Sequence, residues 1–430
     1  MKTILSLFIA LIIQFNLNAQ NVSTFAGSGI VGNADGNGSA ASFNFPQGIC
    51  IDAVGNIFVA DTTNSTIRKI TPTGTVSTIA GTVGVSGSWE GQGTAAAFNG
   101  PIAIAVDAAG NLYVADLFNH KIRKISPTGL VSTFSGAGGT GNIDGIATVA
   151  KFGSPTGIAI DSNGNLFVTE RANHKVRKVL PDGSAITFAG NGTSGSTDGN
   201  GTSAQFYQPS GITIDGNDNV YVVENFGQRI RKITPTGDVT TIAGNGTAGF
   251  VNGTGTAASF NYPSGIVADN AGNLYVVDTN NSVIRKINSA GEVTTFAGTG
   301  AQGNTNGGIN VATFKYPKGI AQDSSGNFYI TDNYNHNIRK ITMQSLGATE
   351  IDVKQMFKIY PNPFNNEVNI SFENSEKAEL EILDMNGRLV SKKSLNEKKN
   401  AVNTAGLNAG MYLFKINHSG KISTVKGIKK

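Results

Sequence analysis

A proline-led stretch of sequence recurs six times in this chain of 430 residues. Each copy reads approximately Pro-x-Gly-Ile-Ala-Ile-Asp, a Gly-Asn turn, an alternating apolar run that ends in an acid, and then Ile-Arg-Lys-Ile. Successive copies are spaced by 54 or 55 residues. A fixed period in this range indicates stacked units that each need a neighbour to cover an apolar face. The six prolines are Pro46, Pro101, Pro155, Pro209, Pro263 and Pro317.

Each copy predicts four short β-strands. In the third copy an apolar strand at 157–161 leads into a turn, where Gly164 suits the positive φ that closes a type I turn with a bulge. A second alternating strand and the strand that carries the arginine follow, and a fourth strand comes after Pro-x-Gly or its equivalent. Short, evenly spaced strands broken by Gly-rich turns indicate a closed all-β architecture, and four strands per repeat predict a β-propeller.

The two ends of the repeat region predict how the ring closes. The last copy ends at Thr342 and has no fourth strand. Residues 22–27, which precede the first copy, match residues 131–136, the fourth strand of the second copy. We therefore expect a six-bladed β-propeller in which the N-terminal strand completes the last blade. Such closure removes an exposed sheet edge.

Composition and charge limit the class of protein. The formal net charge is +4, and residues 355–430 contain 12 Lys/Arg against 7 Asp/Glu, so the repeat region is close to neutral. The repeat region therefore lacks the excess of basic residues that is typical of a nucleic-acid-binding surface. Residues 1–19 have a basic start, a short apolar run and a small final residue, which together predict a secretory signal peptide. No other segment is long enough for a transmembrane helix, and the single cysteine, Cys50, excludes an internal disulfide.

The repeat resembles the NHL family over residues 20–342. The signature for which the family is named is matched at 119–121, 173–175 and 335–337, where Asn-His is followed by Lys, Lys and Asn. The other three copies depart from it at 64–66, 227–229 and 281–283. The resemblance implies a propeller fold. It leaves function open, because the family includes binding scaffolds, sensor ectodomains and a few lyases.

After a linker predicted at residues 343–354, residues 355–430 resemble the type A C-terminal sorting domain of the type IX secretion system. The resemblance implies a small Ig-like β-sandwich of seven strands. It also implies interaction with that secretion machinery, passage through the outer membrane of a Bacteroidetes-type bacterium, and later removal of the domain. We therefore expect the protein outside the cell or on its outer surface; an ordinary adhesive sandwich is the alternative. The matching pieces are Tyr360-Pro361-Asn362-Pro363, Asp384-x-x-Gly387-Arg388, Gly406-x-x-x-Gly410-x-Tyr412 and Lys429-Lys430.

Residues repeated six times are better candidates for scaffold than for an active site. The acid at the end of the second strand and the arginine of the third flank a short hairpin, so we expect them to lie opposite one another as ion pairs. The histidines at 120, 174 and 336 occupy equivalent turns and should bond to backbone, since equivalent sites around a ring cannot converge on one metal ion. The expected ion pairs are Asp61 with Arg68, Asp116 with Arg123, Glu170 with Arg177, Glu224 with Arg231, Asp278 with Arg285 and Asp332 with Arg339.

Positions that differ between copies are not required by the repeated architecture, so they are better candidates for ligand contact. The residue after the repeated proline enters the inner strand near the mouth of the channel, and the residue two places earlier and the turn between the second and third strands should lie on the same face. Aromatic rings, amides and a few cations suit contact with a glycan or a peptide, although the same residues could simply line a water-filled channel. The candidate ligand-binding residues are Phe45, Gln47, Phe118, Arg171, Gln208, Phe226, Tyr262, Tyr316, Lys318 and Tyr334.

These patterns favour a non-catalytic binding module with an unknown extracellular protein or glycan partner. An extracellular lyase or hydrolase with a metal-assisted site at the channel mouth, and a spacer that binds nothing, stay as alternatives. No cofactor is indicated by a motif. Calcium is a possible exception, because the crossover loops repeat an acid at Asp35, Glu90, Asp144 and Asp198, but 252 and 306 are Asn and the set is incomplete.

Overall fold

The computed structural model describes residues 20–343, 357–372, 377–384, 388–418 and 421–430. The predicted signal peptide lies outside the described residues, as does the predicted linker after Met343. The chain divides into two compact units, Met1–Gln344 and Ser345–Lys430. Over the described ranges, the secondary structure consists of β-strands and three-residue 3-10 turns. None of the helices in these ranges is both long and apolar enough to span a bilayer.

In the first unit, each copy of the repeat forms one antiparallel sheet, and sheets 1 to 6 follow the order of the copies. In every sheet the first, second, third and fourth strands lie side by side in that order. The first strands are Pro46–Ile51, Pro101–Val106, Pro155–Ile160, Pro209–Ile214, Pro263–Ala268 and Ile320–Gln322. The second strands are Ile57–Asp61, Leu112–Asp116, Leu166–Glu170, Val220–Glu224, Leu274–Asp278 and Phe328–Asp332. The third strands are Thr66–Ile70, Lys121–Ile125, Lys175–Val179, Arg229–Ile233, Val283–Ile287 and Asn337–Thr342.

The fourth strand of sheet 6 comes from the start of the described chain. Asn21–Ala26 pairs antiparallel with Asn337–Thr342, with Val22 opposite Ile341. This is the place that the comparison of repeats predicts for the N-terminal strand. Because the pairing joins the two ends of the repeat region, backbone hydrogen bonds close the ring within one sheet. The other fourth strands are Thr75–Ala80, Leu130–Ser135, Ala185–Ala189, Asp238–Ala243 and Glu292–Ala297.

The first strands form the inner wall of a closed ring. Each packs against the first strand of the next sheet, and that of sheet 6 packs against that of sheet 1. Glycines in these strands allow the backbones to approach closely. A Cβ on Gly48 would lie 2.6 Å from Cα of Ala103, and one on Gly211 would collide with the carbonyl oxygen of Ser264. Five of the six copies accordingly have Gly at this position, and the second copy has Ala103.

Apolar side chains from adjacent sheets fill the spaces between them. Phe167 of sheet 3, for example, shares one buried cluster with Val222 of sheet 4. Phe206, at the end of the crossover between these sheets, is fully buried in the same cluster. Each sheet therefore covers the apolar face of its neighbour, as expected for a repeat architecture.

The crossovers between sheets carry the remaining regular structure. Several add a two-residue outer strand beside a fourth strand. These outer strands are Gly36–Asn37, Gly91–Gln92, Gly199–Asn200, Gly253–Thr254 and Gly307–Gly308. The 3-10 turns are Gly38–Ala40, Thr62–Asn64, Gly93–Ala95, Gly201–Ser203, Gly255–Ala257, Thr279–Asn281 and Asn333–Asn335.

The described residues of the second unit, taken by itself, form two antiparallel sheets, one of three strands and one of four. Inward-facing residues of both sheets, among them Ile382 and Phe414, form one buried apolar cluster with Phe364, which lies between the first two strands of this unit. The strands are Phe357–Tyr360, Glu367–Phe372, Ala378–Asp384, Leu389–Leu395, Lys399–Asn403, Gly410–His418 and Lys421–Lys429.

Candidate functional site

The repeated acid and arginine form a buried ion pair in every sheet. In sheet 2, Oδ2 of Asp116 lies 3.1 Å from Nη1 of Arg123, and both side chains are fully buried. The prediction that the two residues lie directly opposite each other is wrong, because Arg123 lies two residues further along the third strand than the residue opposite Asp116. Asp116 is paired with Lys121, and Arg123 with Val114, so the ion pair crosses the ladder diagonally. Across the six sheets the N–O distances are 2.8 to 3.3 Å.

Each of these arginines also holds a crossover loop. Nη2 of Arg68 donates to the carbonyl of Ala34 and to Oδ1 of Asp35, both at 2.8 Å. Asp35 additionally accepts from the backbone N–H of Thr78. In sheets 5 and 6 the amide oxygens of Asn252 and Asn306 take the same place. Of the loop acids considered for calcium, Asp35, Asp144 and Asp198 thus pair with arginines of the ring, and Glu90 accepts from the backbone N–H of Thr133. In the described part of the chain, no group of three or more His, Cys, Asp or Glu could hold a metal ion.

Burial has the largest influence on the paired acids. It raises the pKa of Asp61 to about 6 and that of Glu224 to about 7, against the hydrogen bonds and the charge of the arginine partner. These carboxylates are enclosed in the sheets, away from the inner wall. The arginine–acid pairs therefore form the scaffold of the ring.

The histidines of the Asn-His turns connect one sheet to the next. Nδ1 of His120 accepts from the backbone N–H of Ser154 at 3.1 Å, and His174 accepts from Gln208 at the same distance. His336 accepts from Phe45 at 3.3 Å, which joins sheet 6 to sheet 1. Ser154, Gln208 and Phe45 have φ values of 51° to 56°, in the left-handed region. Each histidine therefore fixes an unusual backbone conformation in the neighbouring sheet.

A cavity of about 180 Å³ lies on the axis of the ring, and the first strands of all six sheets line it. The residues that follow the repeated proline all lie in its wall, where comparison of the copies predicts them. They are Gln47, Ile102, Thr156, Ser210, Ser264 and Lys318. Arg171 and Asn225, from the turns after the second strands of sheets 3 and 4, complete the polar part of the lining.

The residue after the repeated acid usually bonds to the next sheet. Thr62 and Thr279 donate to the carbonyls of Pro101 and Pro317 at 2.8 and 2.9 Å. Asn225 and Asn333 make the same bond. In sheet 3 the corresponding residue is Arg171, and the hydroxyl of Thr156 donates to the carbonyl of Pro209 instead. The guanidinium of Arg171 is therefore free of the scaffold bond that this position makes in four other sheets.

Lys318 is a second departure from the pattern of the repeat. At the equivalent position, Ser264 donates to the carbonyl of Lys318 at 2.8 Å, and Thr156 donates to that of Pro209. Lys318 itself lies half-buried in the cavity wall. Burial, and then the positive charge of Arg171, lower the pKa of its ammonium. Sheets 3 and 6 are three places apart in a ring of six, so the two cations approach from opposite sides of the axis.

The predicted aromatic residues lie outside the cavity lining, in two groups. Phe45 contacts Tyr334 edge-on, with ring centroids 5.1 Å apart, and Tyr334 also contacts Tyr316. Phe226 contacts Tyr262 edge-on at 5.0 Å. Phe226 and Tyr334 belong to the turns after the second strands, as do the cavity residues Asn225 and Arg171.

Two predicted ligand-binding residues remain, and two residues near the cavity mouth were not predicted. Phe118 is 61% exposed, and the side chain of Gln208 lies outside the lining, although its backbone is held by His174. Sequence reasoning missed Asn225. It also missed Tyr207, whose ring lies 5.9 Å from that of Phe226. The copy-to-copy variation at both positions is a signal that could have identified them.

Comparisons with known proteins agree with this architecture. The sequence model of the NHL repeat matches residues 43–70, 152–179, 260–287 and 314–341. The model described as "Secretion system C-terminal sorting domain" matches residues 358–430. The chain is therefore a β-propeller protein that carries NHL repeats. Its C-terminal domain is a type IX sorting domain, which implies interaction with the secretion machinery and export to the cell surface or beyond.

Among curated relatives, the chain is 30% identical over 278 residues to Protein SUPPRESSOR OF QUENCHING 1, chloroplastic, of Arabidopsis thaliana, covering 60% of this chain and 26% of that one. It is 32% identical over 295 residues to human NHL repeat-containing protein 2, covering 59% and 40% of the two chains. The chain thus spans well under half the length of these two relatives.

Among solved structures, a Bacteroides thetaiotaomicron protein of unknown function aligns with a TM-score of 0.60 at 23% identity, covering 75% of each chain. A Bacteroides ovatus protein described as an auxiliary nutrient binding protein aligns with a TM-score of 0.59 at 18% identity, covering 75% of this chain and 76% of the other. At these identities the likeness is one of fold.

Proposed function

We propose that this protein is an exported, non-catalytic binding protein, in which a six-bladed β-propeller holds a glycan or protein ligand at its loop-rich face. One observation carries the proposal: the polar side chains of the axial cavity come from positions that vary between copies, whereas the Gly and Ile residues beside them recur in almost every copy. Residues conserved between copies are engaged in the scaffold, whereas Arg171, Lys318 and Gln47 have side chains free to contact a ligand.

The chemistry of the cavity supports binding over catalysis. Its lining offers amides, hydroxyls, a lysine and an arginine among apolar Ile residues, and it contains no carboxylate, imidazole or thiol. A concave, partly apolar site with a few convergent polar groups is the usual form of a small-ligand site. The rings of Phe226 and Tyr334, 39% and 47% exposed, extend the surface available for contact. The Bacteroides ovatus fold neighbour is described as an auxiliary nutrient binding protein, which is consistent with this proposal.

Export completes the proposed role. The sorting domain would direct the propeller to the outer surface and then be removed, together with the signal peptide, leaving the ring to meet its ligand outside the cell. Either release into the medium or attachment to the surface is compatible with this route.

A binding screen with a matched variant tests the proposal. The wild-type chain is screened against glycan and peptide panels, beside a variant with alanine at Phe118, Phe226, Tyr262 and Tyr316. A ligand at 100 times its dissociation constant stabilises the fold by about 2.7 kcal/mol, which raises Tm by a few degrees in a domain of this size. The proposal predicts that the alanine variant loses ligand binding. The control Leu130→Ala, which changes an exposed residue on a fourth strand, should keep it. Binding that survives both these four alanines and alanine at the cavity residues Gln47, Arg171 and Lys318 would contradict the proposed face.

A further inference from the structure

The polar groups in the cavity wall divide into those bonded within the ring and those that are free. The hydroxyls of Thr156 and Ser264 donate to carbonyls of the neighbouring sheets, and the Asn225 amide donates to Pro263. Among the described residues, the side-chain nitrogens of Gln47, Arg171 and Lys318 donate no hydrogen bond to the protein. The free groups are therefore hydrogen-bond donors, and two of them are cations.

The positive charge in this cavity has no counterpart. Arg171 of sheet 3 and Lys318 of sheet 6 both line the cavity, and no Asp or Glu belongs to the lining. Two like charges held together raise the free energy of the protein, and more so where water is partly excluded. Burial lowers the pKa of Lys318, and the positive charge of Arg171 lowers it further. Both residues replace the hydrogen-bonding side chains that most other copies use at these positions, so the scaffold does not need them.

We propose that Arg171 and Lys318 clamp the anionic group of a small organic ligand on the axis of the ring, the group being a carboxylate, a sulfate or a phosphate ester. This inference deepens the proposed binding function and rests on it. The guanidinium offers a planar fork that matches such oxyanions, and the ammonium offers a compact charge opposite it.

The remainder of the cavity suits the rest of such a ligand. Its volume of about 180 Å³ is far above the ~10–15 Å³ that one water molecule needs. Gln47 can donate a further hydrogen bond, and the hydroxyl oxygens of Thr156 and Ser264 can still accept. Ile residues on the first strands supply apolar contact. A polyhydroxylated acid, such as a sugar acid, combines these features.

Titration calorimetry on the full chain, at constant ionic strength, tests the clamp. The probes are D-glucuronate, its neutral analogue D-glucose, sodium sulfate and sodium phosphate. We expect at least one oxyanion to bind with one site per chain and glucose to bind at least about tenfold more weakly. Binding of glucuronate alone would identify a carboxylate ligand, whereas binding of sulfate or phosphate would identify the tetrahedral oxyanions.

Variants separate the clamp from general charge effects. Lys318→Met and Arg171→Met should each weaken anion binding at least about tenfold, because each removes a charge-assisted hydrogen bond. Lys69→Met removes the same charge from a third strand outside the cavity lining and should leave binding unchanged. Lys318→Met should also raise Tm of the free protein, since it relieves the repulsion. A fall in Tm would show instead that the lysine supports the fold.

The clamp is overturned if no anion binds, if glucose binds as well as glucuronate, or if both methionine variants bind anions like the wild type. These results differ from a failure of the proposed function. A neutral glycan or peptide that binds the aromatic face and tolerates Lys318→Met would leave the binding function in place and remove only the clamp.

Discussion

Nδ1 of His120 accepts a hydrogen bond from the backbone N–H of Ser154, 3.1 Å away in the next sheet. A nitrogen that accepts must be unprotonated, so the imidazole in this contact is neutral. The junction between sheets 4 and 5 uses an amide in the same role, where Oε1 of Gln228 accepts from Tyr262 at 2.7 Å. The ring thus contains both a titratable and a non-titratable version of one contact.

The histidine contacts predict acid sensitivity of the ring. Burial lowers the pKa of His120, His174 and His336. The unfolded chain therefore binds protons more readily than the folded one, and the contribution of these groups to stability should fall as pH drops below about 6.5, the unfolded value. The fall ends at the folded pKa, below which both states are protonated.

His120→Gln copies the contact that Gln228 makes and should keep stability at pH 8 while reducing the acid-dependent loss. Chemical denaturation of the wild type and the variant between about pH 8 and pH 5 measures this difference. Equal pH slopes for the two proteins would show that His120 does not titrate through this contact.

Breaking a buried ion pair should be costly. Asp116→Ala leaves the guanidinium of Arg123 buried and without its carboxylate, which we expect to destabilise the first unit by about 3–5 kcal/mol. Asp35→Asn is the matched control. Its side chain is half exposed, and the asparagines of sheets 5 and 6 make the same bond to arginine, so we expect a cost of about 1 kcal/mol or less. Equal losses of unfolding free energy in the two variants would contradict the scaffold role of the buried pair.

The close approach of the inner strands predicts intolerance of a single methyl group. In Gly211→Ala the new Cβ would meet the carbonyl of Ser264, and separating the two strands should cost about 1–3 kcal/mol. Gly216→Ala, in a hairpin turn with open space around its Cα, should change stability by no more than about 0.5 kcal/mol. Thermal unfolding of the two variants is the measurement. A tolerated Gly211→Ala would mean that the ring can widen at this seam.

Internal repetition made much of the fold predictable. The period predicted a propeller of four-stranded units, and the unmatched strand at residues 22–27 predicted the pairing seen between Val22 and Ile341. Variation between copies also predicted that Gln47 and Lys318 would lie at the channel, where they line the cavity. These inferences needed only the rule that equivalent positions in a repeat have equivalent surroundings.

Contacts that depend on strand register or on the position of a neighbouring sheet could not be predicted from the sequence. The diagonal contact of Asp116 with Arg123 depends on the register of the hairpin, which loop length alone did not give correctly. The acceptor role of His120 depends on the position of the next sheet. Arg171 and Lys318 are separated by nearly three repeats, and they approach each other only because a ring of six brings the third and sixth units to opposite sides of one axis.

The most direct test of the binding account is hydrogen exchange on the full chain, with and without the ligand found in the screen. The account predicts added protection in peptides that contain residues 45–48, 170–172, 224–227 and 316–319, all around the mouth of the cavity, and unchanged exchange in the fourth strands. Protection confined to the fourth strands or to residues 355–430, with none at the mouth, would contradict it.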